Sequence, residues 1–281
     1  MMDEKTIQSA NVLIDLALAE DIGTGDISTN SFIPQGEIKT ACLIAKEDGV
    51  VAGLEVFKMV FDRFEKNIEW NAYIKDGCHV KKGDRIIEFK GSYRTLLSGE
   101  RIALNFLQRM SGIATLTSQF VALTEETKVK ILDTRKTLPG YRSLDKYSVK
   151  MGGGSNHRMG LYDMVMLKDN HIQIAGGIVP AVEAVRKKIP MSIKIEVETT
   201  TIEQVKEAIE ARADIIMLDN MTIEQMTEAV KLIDGRAAVE ASGNMSLERI
   251  REVANTGVDY ISIGALTHSV KALDISQRII D

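Results

Sequence analysis

From about residue 130 onward, short apolar or β-branched runs alternate with stretches whose apolar residues recur at helical spacing. The runs are VKILDT (129–134), MVMLK (164–168), IKIEVE (193–198), DIIMLD (214–219), AAVEAS (237–242) and DYISIG (259–264). Their nearly continuous apolar character predicts strands covered on both faces, as in a parallel sheet. Between them, Ile178, Val182, Val185 and Ile189 share one helix face, as do Ile202, Val205 and Ile209, then Ile223, Met226 and Val230, then Leu247, Ile250 and Val253. Helix starts are also marked. Thr201 with Gln204 and Thr222 with Gln225 fit the T-x-x-Q capping box, and Pro180 suits a first turn, where its missing N–H is harmless.

The strand ends Glu198, Asp219, Ser242 and Gly264 lie 21, 23 and 22 residues apart, enough for one strand, one helix and two short loops. This repeating βα unit predicts a doubly wound sheet or a barrel. A barrel is favoured because the runs end in polar residues, Thr134, Lys168, Glu198, Asp219 and Ser242, and barrels carry their chemistry at the C-terminal strand ends. The pattern is too short for the roughly 250 residues of a full eight-unit barrel, so an incomplete, open barrel is expected.

The N-terminal part has another rhythm. An amphipathic helix over 4–20 and the loop EDIGTGDIST precede β-like runs at 40–45 and 50–52, a helix near 55–64, and strands around 68–74 and 85–89. Helical stretches at Gly99–Leu107 and after Gly112 then lead into the βα series. The expected organisation is an α+β domain over 1–111, a parallel α/β barrel over 112–265, and a C-terminal segment, 266–281, returning to the first domain.

Composition narrows the function classes. A net charge of -5 argues against broad nucleic-acid binding, which needs a basic surface. The apolar stretches are too short and too interrupted for a membrane span. The acidic start MMDEKTIQSA lacks a signal-peptide pattern, and two cysteines, Cys42 and Cys78, suit a reducing compartment, so a cytoplasmic location is expected. One segment reverses the overall sign: Lys130 to Asn170 holds eight Lys or Arg against four Asp. Such a segment is either a solvated charged face or a confined site for a small anion.

The individual residues give that segment content. Arg135 and Lys136 follow a strand end, one offering a planar fork for a carboxylate and the other a point charge for phosphate. The run GGGSNHR brings Gly152–Gly154 beside Lys150, His157 and Arg158, so that backbone and cations can approach a ligand together. Lys168 at a strand end is either an anion ligand or a Schiff-base nucleophile. Glu198 and Asp219 could hold Mg²⁺ and sugar hydroxyls, or form ion pairs with Lys168. Ser242–Gly243 and Ile263–Gly264–Ala265 close the last strands with small residues, where barrels commonly cradle a phosphate.

The blocks DTRKTLPGYR, GGGSNHR, LKDNHI, IEVE, MLDN, EASGN and IGALTHS, with ERIALNFLQRMSGIAT and EDIGTGDIST before them, resemble the quinolinate phosphoribosyltransferases, in order and over essentially the whole chain. The resemblance implies an N-terminal α/β domain and a seven-stranded open α/β barrel. It further implies quinolinate and phosphoribosyl pyrophosphate as substrates, Mg²⁺, and a homodimer whose sites use both chains. By the same resemblance, Arg135, His157, Arg158 and Lys168 are ligands of the quinolinate carboxylates, with Arg101 entering from the partner chain, and Thr134 lines the site. Lys136 serves the pyrophosphate. Glu198 and Asp219 face the ribose and its metal, and Ser242, Gly243, Asn244 and the turn Ile263–Ala265 hold the 5′-phosphate. Asn244 stands where relatives often have glycine.

Overall fold

The computed structural model describes residues 2–280. Its chain divides into two compact units, Met1–Ser118 with Thr137–Gly153 and Leu266–Asp281, and Gln119–Lys136 with Gly154–Ala265.

The first unit contains helices α1 (Glu4–Asp21) and α2 (Ile27–Phe32), strands β1 (Ile38–Ala45) and β2 (Gly49–Val50), helix α3 (Leu54–Phe61), strands β3 (Glu69–Ala72), β4 (His79–Val80) and β5 (Arg85–Ser92), and most of helix α4 (Tyr93–Ala122). Asp3 and Asp26 cap α1 and α2 by accepting the amide N–H of Thr6 and Thr29. A C-terminal strand, Ile275–Ile279, pairs antiparallel with β1 and completes a four-stranded antiparallel sheet with β5 and β3. The core here is apolar and aromatic. Phe57, Phe61, Trp70 and Phe89 form one ring cluster, with centroids 4.9 to 6.3 Å apart.

Two expectations change in this unit. The two helical stretches around Gly99 and Gly112 are one 30-residue helix, α4. Gly112 is no breaker, because its missing Cβ is what lets the Lys271 backbone pass against the helix. Residues Arg142–Met151, inside the basic segment read as a solvated face or an anion site, form helix α5, whose buried face includes Leu144 and Val149 and which belongs to the first unit although it lies between two barrel strands in sequence. Its Asp145 is buried and accepts from the Arg109 guanidinium on α4, which also donates to the Thr267 carbonyl.

The second unit is built on six parallel strands: β6 (Lys130–Leu132), β7 (Val165–Leu167), β8 (Ile195–Thr199), β9 (Ile215–Asp219), β10 (Ala238–Ser242) and β11 (Tyr260–Ser262), in the order β6-β11-β10-β9-β8-β7. Helices α6 (Asp169–Ala175), α7 (Ile178–Arg186), α8 (Ile202–Glu210), α9 (Ile223–Ile233) and α10 (Ile250–Asn255) connect them, and a short α11 (Ala265–His268) follows β11; Ile275–Ile279 is then β12. The sheet is open, with β6 and β7 as edges. Beside β6, Ser155 makes a single parallel bridge to Leu132, so the seventh position is one residue long. The capping box at Thr222 is complete, with both Thr222 and Gln225 side chains accepting from backbone N–H groups. At Thr201 the box is displaced, because Gln204 accepts from the amide of Thr200 instead.

Candidate active site

Parallel register decides which side chains share a face. Met166 is level with Glu196 on β8; Glu198 is level with Met217 on β9 and Glu240 on β10; and Asp219 is level with Ser242. Glu240 is in turn level with Tyr260, and Leu132 with Ser262. With a period of two, Glu196, Glu198, Met217, Asp219, Glu240, Ser242, Ser262 and Leu132 therefore all lie on one face. Lys168 and Thr134, two residues beyond Met166 and Leu132, continue the same columns. The polar strand ends converge as expected, and beneath them the same face carries two further acids.

At the rim, Arg135 and Lys136 are exposed, and the amide of Lys136 donates to Thr134 Oγ1 at 3.1 Å. The Lys168 ammonium is bonded to Glu198 Oε2. Since Glu198 faces away from water more than its partner does (17% against 45% side-chain exposure), the lysine supplies the counter-charge that lets the carboxylate sit there. Beside the pair, Asp169, Ile172, Gln173, Thr200 and Gln204 border a cavity of about 300 Å³ that also touches Glu198. Arg158 donates from Nη1 to the Met164 carbonyl at 2.9 Å, and its pKa is lowered by burial and then by the neighbouring Arg135 charge. Two cations whose charges act on each other, one of them partly buried, favour an anionic ligand nearby.

Asp219 accepts from Asn220 Nδ2 at 2.8 Å, while Asn220 Oδ1 accepts from Asn244 Nδ2 at 3.1 Å, and the Asn220 amide donates to the Ser242 carbonyl. Asn220, Gly243 and Asn244 all have positive φ (55°, 89° and 48°). Asn is among the residues that tolerate this region, which explains why Asn244 can stand where glycine would be easy. Gly243 has no such latitude, because a Cβ there would collide with the Asn220 side chain. One residue of the second turn does not offer what was expected: the Ile263 amide is still in the ladder, donating to the Leu132 carbonyl at 2.9 Å. Gly264 is a turn residue, and Ala265 begins α11. Arg101 is exposed on α4.

His157 departs furthest from expectation. Its side chain is turned inward, 7% exposed, with Nε2 3.2 Å from Glu196 Oε2 and 3.3 Å from Glu240 Oε2. Nδ1 accepts the Arg158 amide at 2.7 Å, and the His157 amide donates to the buried Asp133 carboxylate at 3.0 Å. Asp133 also accepts from Asn156 Nδ2. Both ring nitrogens are thus engaged inside the barrel rather than presented to a ligand carboxylate. Burial opposes charging the ring, but the hydrogen bonds and charges of Glu196 and Glu240 outweigh it, pushing the His157 pKa up to about 10. Burial also raises the pKa of Glu196. The cluster therefore retains a proton at neutral pH. Because the Arg158 N–H points at Nδ1, that ring nitrogen stays an acceptor, and the cluster holds its proton on the side where Nε2 faces the two acids. The same N–H decides against a metal on these three residues, since a histidine bound to metal through Nε2 keeps its proton on Nδ1, where a donor already points.

Sequence reasoning missed Asp133, Asn156, Glu196, Glu240 and Asn220. A signal was present for two of them. An acid two residues before a strand-end candidate, in IEVE and in AVEAS, must share its face in a strand that is otherwise apolar.

Comparison with known proteins decides the family. Residues 26–111 match the N-terminal domain of quinolinate phosphoribosyl transferase, and residues 113–278 match its C-terminal domain. The chain belongs to the quinolinate phosphoribosyltransferase family. A "Nicotinate-nucleotide pyrophosphorylase [carboxylating], chloroplastic" of Arabidopsis thaliana is 46% identical over 95% of this chain and 82% of its own length. A "Probable nicotinate-nucleotide pyrophosphorylase [carboxylating]" of Bacillus subtilis is 45% identical over 95% of this chain and 92% of its own. Among solved structures, NadC from Streptococcus pyogenes superposes with a TM-score of 0.95 at 41% identity, covering 100% of both chains. The open α/β barrel and the N-terminal unit described above are those of this quinolinate phosphoribosyltransferase fold. No helix among the described residues is long and apolar enough to cross a membrane.

Proposed function

We propose that the chain transfers phosphoribose from phosphoribosyl pyrophosphate to the ring nitrogen of quinolinate, with loss of CO₂, giving nicotinate mononucleotide and pyrophosphate in NAD biosynthesis. Family membership supports the reaction. The observation that carries the reading on this chain is the register that brings Thr134, Lys168, Glu198, Asp219 and Ser242 to one face, with Arg135 and Arg158 beside them.

In this reading Arg135, Arg158 and Lys168 bind the two quinolinate carboxylates, and Arg101 of the partner chain adds a fourth cation. The ring nitrogen of a dianion must approach C1 of a highly anionic sugar, so fixed cations offset the repulsion and orient the reactants. Lys136 holds the pyrophosphate as it leaves. C1 then gains positive character, which the carboxylates of Glu198 and Asp219 are signed to stabilise. The alkylated ring nitrogen is cationic; the bond from the ring to the adjacent carboxylate breaks, its electron pair is stabilised by that charge, and a proton takes the place of CO₂. Ser242, Gly243 and Asn244, with Gly264 and Ala265, take the 5′-phosphate. His157 contributes through the barrel interior.

Mg²⁺ fits the donor set, since Glu198 and Asp219 offer oxygen ligands on one face of neighbouring strands, and a hard cation prefers oxygen. When bound it would offset pyrophosphate charge. A homodimer, which Arg101 requires, and a cytoplasmic setting, which suits the free thiols of Cys42 and Cys78, complete the proposal. A Schiff-base role for Lys168 is disfavoured by its ion pair with Glu198, which already engages Nζ. The test is release of labelled CO₂ from carboxyl-labelled quinolinate, dependent on phosphoribosyl pyrophosphate and matched by nicotinate mononucleotide. No release from the purified full chain with Mg²⁺ present would overturn the reading.

A further inference from the structure

The interior acids have no place in the reaction as described. Glu196 is fully buried and Glu240 is 1% exposed, yet Oε1 of each has no hydrogen-bond partner among the described residues, and Oε2 of each faces His157 Nε2. Carboxyl groups in such a setting are costly, and two side by side are more so. A barrel interior is ordinarily filled with branched apolar side chains, so packing alone does not call for two acids there. What the acids do contact is His157. Its ring is fixed at both ends, by Glu196 and Glu240 at Nε2 and by the Arg158 amide at Nδ1.

We propose that Glu196 and Glu240 are positioning residues for the aromatic-acid end of the site, acting through His157 on Arg158. The chain of contacts is short. The two acids draw the His157 Nε2–H inward; this leaves Nδ1 as an acceptor, and Nδ1 takes the Arg158 amide, which sets the backbone from which the Arg158 side chain extends. Asp133 fixes the same turn from the other side through the His157 amide and Asn156. The arrangement preorganises the Arg158 side of a cationic site. Phosphate recognition is built separately, on the Asp219–Asn220–Asn244 contacts, and is outside the reach of this chain.

The inference rests on quinolinate being the acid bound, and the experiment separates the two. Wild-type chain, Glu240→Gln and Glu196→Gln are compared for CO₂ release with each substrate varied in turn. Failure of the wild type to release CO₂ defeats the substrate reading. If the wild type is active, the inference expects the quinolinate KM of each variant to rise about tenfold or more, the scale of a lost charge-assisted hydrogen bond. The KM for phosphoribosyl pyrophosphate and kcat should stay within about twofold. Unchanged quinolinate KM, or a parallel loss in both KM values and kcat, overturns it. A second measurement needs no variant. In ¹⁵N-histidine-labelled wild type, the slowly exchanging ring must be His157, since His79, His171 and His268 are exposed. It should carry its proton on Nε2 and none on Nδ1, and a ring protonated on Nδ1 overturns the proposal.

Discussion

The two sheets of this protein are built to different ends. The antiparallel sheet of the first unit packs Phe57, Phe61, Trp70 and Phe89 against one another, a solution that needs only shape and apolar area. The parallel sheet of the second unit puts Glu196, Glu240 and His157 where apolar side chains would normally go, and lines its strand ends with Lys168, Glu198 and Asp219. One sheet spends its interior on stability and the other on charge placement. The reason lies in topology: parallel strands all end on the same side, so their C-terminal residues converge, whereas antiparallel strands send alternate ends in opposite directions.

The largest effect should come from the parallel sheet. Lys168→Ala should lower turnover by about a thousandfold or more, because a cation in the reacting layer acts on transition-state charge, while the melting temperature changes little, since a partly exposed ion pair contributes little to stability. If Arg101 acts on the partner's site, an inactive Arg101→Ala chain mixed with Lys168→Ala and allowed to exchange should recover roughly one quarter of wild-type activity, because about half the dimers are mixed and each has one intact site. Absence of recovery, with mixed dimers confirmed by native mass spectrometry, would place Arg101 outside the partner's site. Retained turnover in Lys168→Ala alone would dissolve the contrast between the sheets.

The antiparallel sheet should respond in the opposite sense. Phe61→Ala should cost about 3 to 5 kcal/mol of stability, measured by denaturant unfolding, with turnover per folded molecule preserved. A variant of ordinary stability and poor turnover would mean that this core serves the chemistry directly.

The smallest effect is in pH dependence. Coupled to its two acids, His157 holds the cluster's proton up to about pH 10, whereas a free imidazole loses it near 6.5, so the cluster contributes stability that is fully present below about pH 6.5 and is lost as pH rises through about 10. The melting temperature of the wild type should therefore decline across that window, and the decline should be shallower in His157→Gln. Equal slopes would remove the cluster from the stability balance of the barrel.

Much of the barrel was legible along the chain. Strands buried on both faces must be apolar throughout, so six runs announced themselves, and the 21- to 23-residue spacing of their ends announced the βα unit. Strand-end polarity marked Lys168, Glu198, Asp219 and Ser242, because side-chain direction in a strand is a local property. Helix α5 was not legible, since it is short and polar with a buried face chosen by the other unit members it meets, and α4 was read as two pieces because a glycine's reason for being in a helix, the Lys271 backbone beside Gly112, lies 159 residues away in the chain.

The sequence by itself determined the repeat, the direction of each strand and the family, because these depend on periodicity and on ordered blocks of residues. Only the tertiary structure decided what His157 does. In the chain it adjoins Arg158 and Asn156, and looks like one more cation of a ligand-binding loop. In the fold it meets Glu196 and Glu240, 39 and 83 residues further on, and the charge and direction of an imidazole are set by the groups within hydrogen-bonding distance, whatever their separation in sequence.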